Sequence, residues 1–454
     1  MAKHTRWSLP SARSQKIGTT ITLQKSPDGA VIKRTVLPGG LRVISEHVPA
    51  MRSVSVGMWV NVGSRDEETS VAGSAHFLEH LLFKGTTSKT ALEISSAIDR
   101  VGGEMNAFTG KEYTCFYSRV LDQDLDVAIE TLSDMLVHST IDKKDFEAER
   151  QVILEEIAMR DDDFADIAHE GLVQALFGKQ DLGRPILGTR STITKSKRDV
   201  VWNFYKHHYK PSQIVVAAAG GVDHMELVKL VKKGFSPLLK GSSLPAKARS
   251  AKFQGKVQHQ FNIAKRTSEQ AHLVLGYPAL ARGDNRRYQL GMLNTILGGG
   301  MSSRLFQEIR EVRGLAYTTY AFAQSFSDTG YLGIYAGFQP QKAHEVLNVI
   351  DEVTTALAVA GPSDEELIRA KGQMKGSLVL GQEDSSSRMN RIAKAELATG
   401  ELPSVDELLR RIDSVSVPQV QAIARDIFGS KQAISLVGPY SSVREFTGSK
   451  GGLR

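Results

Sequence analysis

The sequence predicts an α+β fold built from two duplicated halves, each with an antiparallel-rich sheet and packed helices. Three observations lead to this prediction. Segments that alternate like strands are interspersed with segments of helical periodicity. That pattern fails between residues 237 and 258, where Gly, Ser, Pro and Lys indicate a linker near the middle of the chain. The order of elements before this linker recurs after it, as a duplicated domain would.

In the first half, short alternating or β-branched segments predict strands and longer periodic segments predict helices. The predicted strands lie at residues 41–46, 54–62, 112–120 and 214–220. The predicted helices lie at residues 75–83, 92–101, 125–138, 144–160 and 200–209.

The second half repeats this order. A strand at 330–338 leads into helices that start near residues 342 and 364, as the strand at 112–120 leads into its two helices. A helix at 420–428 and a strand at 433–437 close the half, as 200–209 and 214–220 close the first. The predicted organisation is a poorly ordered leader, a first half, a linker and a second half, at residues 1–30, 31–236, 237–258 and 259–454.

Composition excludes several functions. The chain of 454 residues is 41% hydrophobic and has no 18-residue apolar run, so we expect no membrane span and no membrane partner. The net charge of +7 comes from 57 basic residues interspersed with 50 acidic ones, and aromatic content is only 7%, so we expect no nucleic-acid partner. Cys115 alternates with Thr114 and Phe116, which favours a buried strand thiol over a nucleophile.

The first 27 residues are basic, have no acid before Asp28 and lack the apolar stretch of a secretory signal. We therefore expect a bacterial cytoplasmic protein. The alternative is the mitochondrial matrix, because an acid-poor leader with Arg and Ser is also typical of a transit peptide, although Pro10 interrupts an amphipathic helix.

The segment from His76 to His80 contains candidate metal ligands and a candidate base. Histidines at positions i and i+4 project from one face of a helix, one turn apart, and neutral imidazoles suit Zn²⁺. Glu79 lies next to His80 in sequence and can act as the base for a metal-activated water. The alternative is an ordinary helix, so the interpretation needs an independent third ligand.

The helix at 145–156 offers candidates for that ligand. Glu149 and Glu156 are seven residues apart and share a face, whereas Glu155 points elsewhere. A solvated acidic face is the alternative interpretation. Periodicity shows that one side of this helix is buried, but it does not say which acid meets the histidines.

Together these motifs resemble a known family. The segment from His76 to His80 continues as Leu-Leu-Phe-Lys-Gly-Thr, and Glu149-Arg150 and Glu156 follow about 70 to 76 residues downstream. This pattern resembles the insulinase/pitrilysin zinc metallopeptidases with the inverted zinc motif, and the layout is most similar to the processing-peptidase-like branch with short single-chain subunits. The resemblance implies one Zn²⁺ per chain held by His76, His80 and Glu156, with Glu79 as base and Glu149 as a supporting acid.

Residues 102–109 form a glycine turn that enters a hairpin on the plain interpretation. The resemblance implies more: an edge strand that receives the substrate by backbone pairing, with Asn106, Ala107 and Phe108 in contact with the peptide.

The second half contains a glycine-rich segment, followed by Arg310 and, seven residues on, Tyr317. The alternative interpretation is a flexible turn, a surface arginine and a packed tyrosine. The resemblance implies substrate contacts from the glycine segment and donors to the developing oxyanion from the Arg-Tyr pair. The glycines concerned are Gly298, Gly299 and Gly300.

These features predict a zinc-dependent endopeptidase that cleaves unfolded peptides or flexible protein segments with a metal-activated water. Aligning the halves sets Gly291 opposite His76 and Asn294 opposite Glu79. Residues 31–236 should therefore form the zinc-binding catalytic half, and residues 259–454 a substrate-contacting half without a metal site. A homodimer is expected from the resemblance. The alternative function is that of a catalytically silent homologue that serves as a structural or assembly subunit.

Overall fold

The computed structural model describes residues 8–249, 253, 255–442 and 445. The chain forms two compact units. The first unit contains residues from 1–157, 185–249 and 380–404, and the second contains residues from 158–184, 250–379 and 405–454.

The strands of the described residues follow in chain order: β1 (Thr20–Lys25), β2 (Val31–Val36), β3 (Arg42–His47), β4 (Ser53–Val60), β5 (Glu104–Thr109), β6 (Thr114–Leu121), β7 (Ile214–Gly220), β8 (Phe261–Lys265), β9 (Ala271–Ala279), β10 (Ala316–Ser325), β11 (Gly330–Phe338) and β12 (Ala433–Gly438).

The α-helices of the same residues are α1 (Ser74–Leu82), α2 (Ala91–Asp99), α3 (Leu125–His138), α4 (Lys143–Asp162), α5 (Phe164–Phe177), α6 (Arg190–Lys195), α7 (Arg198–His208), α8 (His224–Gly234), α9 (Arg287–Gly298), α10 (Ala343–Ala360), α11 (Asp364–Leu380), α12 (Ser385–Lys394), α13 (Val405–Asp413) and α14 (Val417–Phe428). Two further segments are π-helical, Phe306–Val312 and Ala395–Thr399.

Each unit is built on one sheet. Within the described residues the first sheet has the order β1-β2-β3-β7-β4-β6-β5 and the second the order β10-β11-β9-β12-β8. Pairing is antiparallel except for β3 with β7 and β12 with β8. Five strands of the first sheet therefore match the whole second sheet in order and direction, parallel pair included. The predicted α+β fold with two duplicated, antiparallel-rich halves is confirmed.

The units are not continuous in sequence, which periodicity did not indicate. Helix α5 comes from the first half of the chain but packs on β9 and β12, whereas α12 comes from the second half but packs on β3, β4 and β7. Glycines permit both close approaches. A Cβ on Gly171 of α5 would lie 2.2 Å from Ser435 Oγ, and one on Gly57 of β4 would lie 2.7 Å from Met389 Sδ of α12.

Part of the amino-terminal segment that was predicted to be poorly ordered forms a strand. Residues 20–25 form β1, which pairs antiparallel with β2, and residues 1–7 lie outside the described residues. Ile21 and Leu23 of β1 alternate with more exposed residues, which is the pattern of an edge strand with one covered face. Of the predicted linker, residues 250–252 and 254 also lie outside the described part of the chain.

The core of the first unit lies between its sheet and the helices of one face, including α1, α3, α4, α7 and α8. Cys115 on β6 is fully buried, as its alternation predicted. Among the described helices, none has both the length and the apolar character needed to cross a membrane.

Buried ion pairs attach the segment after residue 384 to the first sheet. Glu396 Oε2 lies 2.9 Å from Arg34 Nη1, and Glu396 Oε1 lies 3.7 Å from Arg42 Nη1. The Arg34 side chain is 1% exposed, so this carboxylate pairs a guanidinium group that lies in the interior. Burial lowers the pKa of Arg42, and the neighbouring Glu396 opposes that shift.

We expect Glu396→Leu to destabilise the first unit by about 3–5 kcal/mol, because it leaves two buried guanidinium groups without their carboxylate. The melting temperature should fall by on the order of 10 °C. The exposed Glu383 provides the control, since Glu383→Leu should leave the melting temperature nearly unchanged. Equal melting temperatures for the two variants would contradict this role of Glu396.

Candidate metal centre

Helix α1 presents two chemically different faces. Its apolar side chains, Phe77, Leu78, Leu81 and Leu82, are fully buried in the core. The other face carries His76, Glu79 and His80, which are partly exposed. The buried face therefore fixes the direction in which the polar side chains project.

A stack of two aromatic rings joins α1 to α4. The rings of Phe77 and Phe146 lie 4.4 Å apart between centroids and are nearly parallel, at 10°. Ile153 and Ile157 continue the buried face of α4 into the same core. This packing brings the acidic residues of α4 beside the histidines of α1.

Three side chains converge at this junction. Ligand atoms of His76, His80 and Glu156 all lie within 4.8 Å of one another. His76 Nε2 is 3.8 Å from Glu156 Oε2, and His80 Nε2 is 3.5 Å from Glu156 Oε1. Glu156 is thus the acid that lies beside both histidines, as the resemblance implied, whereas the neighbouring Glu155 is exposed.

The spacing of these atoms fits a metal ion better than direct hydrogen bonds. Tetrahedral zinc with ligands at about 2.1 Å sets the ligand atoms about 3.4 Å apart. The observed 3.5 and 3.8 Å are close to that value and too long for good hydrogen bonds. Buried Glu156 Oε2 also has no hydrogen-bond partner among the described residues. Two imidazole nitrogens and one carboxylate oxygen form a donor set that suits zinc.

Glu149 holds the other nitrogen of His80. Its Oε2 lies 3.0 Å from His80 Nδ1, and its Oε1 lies 2.6 Å from Lys84 Nζ. A carboxylate at this position favours the tautomer in which Nδ1 carries the hydrogen, which leaves the Nε2 lone pair free for a metal. Lys84 was not among the residues selected from the sequence, although it lies four residues after His80.

The electrostatics of His76 suit a ligand. Burial, assisted by the neighbouring His80, lowers the pKa of His76 to about 3. The imidazole is therefore neutral at pH 7 and keeps a lone pair available for coordination.

Glu79 lies on the same helix face and is held from outside the helix. Thr109 Oγ1 donates a hydrogen bond of 2.5 Å to Glu79 Oε2. Burial raises the pKa of Glu79 above its ordinary value, and the Thr109 hydrogen bond opposes that rise. A carboxylate with a raised pKa is a better proton acceptor. The role of Thr109 was missed because its contact with Glu79 joins residues 30 positions apart.

Thr109 belongs to β5, the edge of the first sheet as far as the structure describes it. Met105 and Ala107 share the Thr109 face of this strand and pack against the core that contains α1. Asn106 and Phe108 project from the opposite face, where the Phe108 ring lies 5.7 Å from Trp59. Of the three predicted substrate contacts, the structure thus sets only Ala107 on the side of Glu79.

The glycine segment of the second unit is packed, not a free turn. Helix α9 ends at Gly298, where a Cβ would lie 2.3 Å from the Ala321 nitrogen. Gln373 Nε2 donates a 2.6 Å hydrogen bond to the carbonyl oxygen of Gly299, and Gly300 follows. The hydrogen bond from Gln373 holds the backbone at Gly299, and the close approach of Ala321 leaves no room for a side chain at Gly298.

Arg310 and Tyr317 also meet within the second unit. The Arg310 guanidinium lies 4.9 Å from the centroid of the Tyr317 ring. The Tyr317 residue is 74% exposed in the described structure, so the packed-tyrosine alternative is wrong. Arg310 belongs to the π-helical segment Phe306–Val312, a type of distortion that is frequent at functional sites.

The sequence matches two family models. Insulinase (Peptidase family M16) matches residues 42–190, which carry His76, His80, Glu149 and Glu156. Peptidase M16 inactive domain matches residues 195–374, which carry the glycine segment, Arg310 and Tyr317.

Solved structures share the fold. A protease from Helicobacter pylori has a TM-score of 0.83 at 23% identity and covers 90% of this chain and 99% of its own. A peptidase M16 inactive domain from Pseudomonas fluorescens has a TM-score of 0.82 at 18% identity, with coverages of 90% and 98%.

Several bacterial proteins are similar over nearly their whole length. An uncharacterized zinc protease of Streptomyces coelicolor is 48% identical over 433 residues, which is 94% of each chain. An uncharacterized zinc protease of Bacillus subtilis is 39% identical over 410 residues, or 90% of this chain and 98% of that protein. With both family models in their expected order, this chain belongs to the insulinase family of M16 peptidases.

Proposed function

We propose that this protein is a zinc-dependent endopeptidase that cleaves unfolded peptides or flexible protein segments. The observation that carries the proposal is the convergence of His76, His80 and Glu156 at metal-ligand spacing, with Glu79 on the same helix face. One Zn²⁺ per chain would occupy this site. The zinc protease names of the bacterial relatives support the choice of metal.

Glu79 performs the proton transfers in this proposal. A bound zinc ion would supply Lewis-acid activation of water and of the scissile carbonyl. Glu79 accepts the proton that the attacking water loses as the new C–O bond forms. The same carboxyl group then returns the proton to the leaving nitrogen as the peptide C–N bond breaks. Thr109 orients the carboxylate through its 2.5 Å hydrogen bond.

Strand β5 binds the peptide as an added strand. Its one described partner is β6, so the backbone groups of its other edge can pair with an extended substrate. Pairing of this kind reads main chain and tolerates many side chains, which requires substrates that are locally unfolded. Since Thr109 lies on β5, the strand that holds the peptide also holds the base.

The second unit supplies donors to the developing oxyanion. Arg310 and Tyr317 are suited to this role because a guanidinium and a phenol both donate to negative charge, and the exposed Tyr317 hydroxyl is available for it. The glycine segment at residues 298–300 contacts the substrate backbone. A homodimer related to the processing-peptidase-like branch completes the proposal on the basis of the family resemblance. The proposed location in the bacterial cytoplasm rests on the basic leader, which lacks the apolar stretch of a secretory signal.

Glu79→Gln should lose nearly all turnover and retain zinc, because the amide has the same shape but cannot accept the proton. The rate of cleavage of a fluorogenic peptide should fall by about 10²- to 10⁴-fold. The exposed Glu155 offers a matched control, and Glu155→Gln should cleave at the wild-type rate. Wild-type turnover in Glu79→Gln would refute the base assignment, and zinc-loaded wild type without any cleavage would favour a silent homologue.

The zinc content of variants should distinguish the roles of the adjacent Glu155 and Glu156. Glu156→Gln removes a charged ligand and should lose most of its zinc, whereas Glu155→Gln should keep one ion per chain, because Glu155 points to solvent. Elemental analysis of the purified variants measures this directly. Equal zinc content in both would show that the ligand is wrongly assigned.

Tyr317→Phe should lower the turnover number by roughly 10²- to 10³-fold, the usual effect of losing one oxyanion donor. Zinc content and melting temperature should stay unchanged, because the exposed ring remains. Tyr288 of the same unit also lies beside arginines, so Tyr288→Phe serves as the control and should remain active. Unchanged turnover in Tyr317→Phe would confine the catalytic groups to the first unit.

A further inference from the structure

The residue that precedes α1 has no side chain to cap the helix. The helix has only nine residues, and the amide groups of its first turn lack partners within the helix. The residue before it is Gly73, with φ +96°, so no side chain at this position can cap the helix. A Cβ on Gly73 would lie 2.7 Å from Ile193 Cδ1 and 2.8 Å from the Leu187 carbonyl oxygen. The usual Ser, Thr or Asp cap is therefore excluded by space as well as by conformation.

Glu67 supplies the missing acceptors from six residues upstream. Its Oε2 accepts a 2.8 Å hydrogen bond from the Gly73 amide, and its Oε1 accepts a 2.7 Å hydrogen bond from the Ala75 amide. Glu67 is only 5% exposed. Both oxygens of one buried carboxylate thus bind the backbone immediately before His76.

The residues beside Glu67 are anchored to the body of the unit. Arg65 Nη1 lies 2.6 Å from Glu112 Oε1, and both side chains are nearly buried. Asp66 Oδ2 accepts a 2.9 Å hydrogen bond from the Gly63 amide and is also bound by Arg249. The carboxylate of Glu67 is therefore held at a fixed position from which it can define the position of the helix.

From these contacts we propose that Glu67 is a positioning residue for the metal centre. Its carboxylate fixes the first turn of α1, and through that turn it fixes the direction of His76 and the adjacent Glu79. A carboxylate at a helix amino terminus is also favoured by the helix dipole. The inference deepens the proposed function and rests on it for the identity of the metal.

A purely structural role for Glu67 makes a different prediction. If the carboxylate only stabilised the loop, its loss would lower the melting temperature and leave the zinc affinity of the folded protein unchanged. If it positions the ligands, zinc affinity falls even at temperatures far below melting. Metal affinity of the folded apoprotein therefore distinguishes the two roles.

The test is a titration of apoprotein with zinc against a competing chelator. Glu67→Gln keeps the shape but directs an amide N–H at a backbone N–H, and it should weaken zinc binding about 10- to 100-fold, as loss of groups that orient metal ligands does. Glu68→Gln is the matched control, because Glu68 is adjacent and exposed, and it should bind zinc as the wild type does. Wild-type affinity in Glu67→Gln would overturn the inference.

Hydrogen exchange of the wild-type apoprotein gives a second test that needs no folded variant. The amides of Gly73 and Ala75 should be strongly protected, whereas the inference is overturned if they exchange as freely as exposed amides. This measurement does not depend on the metal. A wild type that binds no zinc but protects both amides would refute the proposed function and leave the cap intact.

Discussion

The packing of α1 against α4 is the constraint on which the candidate site depends. The stacked rings of Phe77 and Phe146 and the shared apolar core hold together two helices that are more than 60 residues apart in sequence. Each helix alone offers an incomplete donor set: two imidazoles on α1 and carboxylates on α4. Only their contact brings three possible ligand atoms within 4.8 Å of one another, with Glu149 bound to the other nitrogen of His80. The candidate site is thus a product of hydrophobic packing.

Features that depend on contacts local in sequence could be predicted, whereas features that depend on contacts between distant segments could not. The spacing of His76 and His80 is local to one helix, so periodicity was enough to set both on one face. Which acid of α4 meets the histidines could be predicted only through the family resemblance, because it depends on a tertiary contact. Thr109 and Glu67 act on α1 from neighbouring segments through single side chains, and no periodic pattern marks such contacts.

The sheets on which α5 and α12 pack could not be predicted either, because this packing is also a tertiary contact. Periodicity shows that α5 and α12 each have a buried face, but it does not say which sheet covers that face. Glycines such as Gly171 and Gly57 permit the close packing of each helix on its sheet. Their role can be recognised only when the residues that pack against them are known. The matched strand order of the two sheets shows that duplication gave both units one framework. The first copy carries His76 and Glu79 on α1, and in the predicted alignment the second has Gly291 and Asn294 in their places on α9.

We propose that His76, His80 and Glu156 bind one zinc ion. Anomalous diffraction from crystals of the zinc-loaded protein, recorded on both sides of the zinc absorption edge, tests it most directly. We predict one strong peak per chain at about 2.1 Å from His76 Nε2, His80 Nε2 and an oxygen of Glu156. A fully loaded crystal whose anomalous peak lies elsewhere, with these three side chains uncoordinated, would contradict this assignment of the ligands.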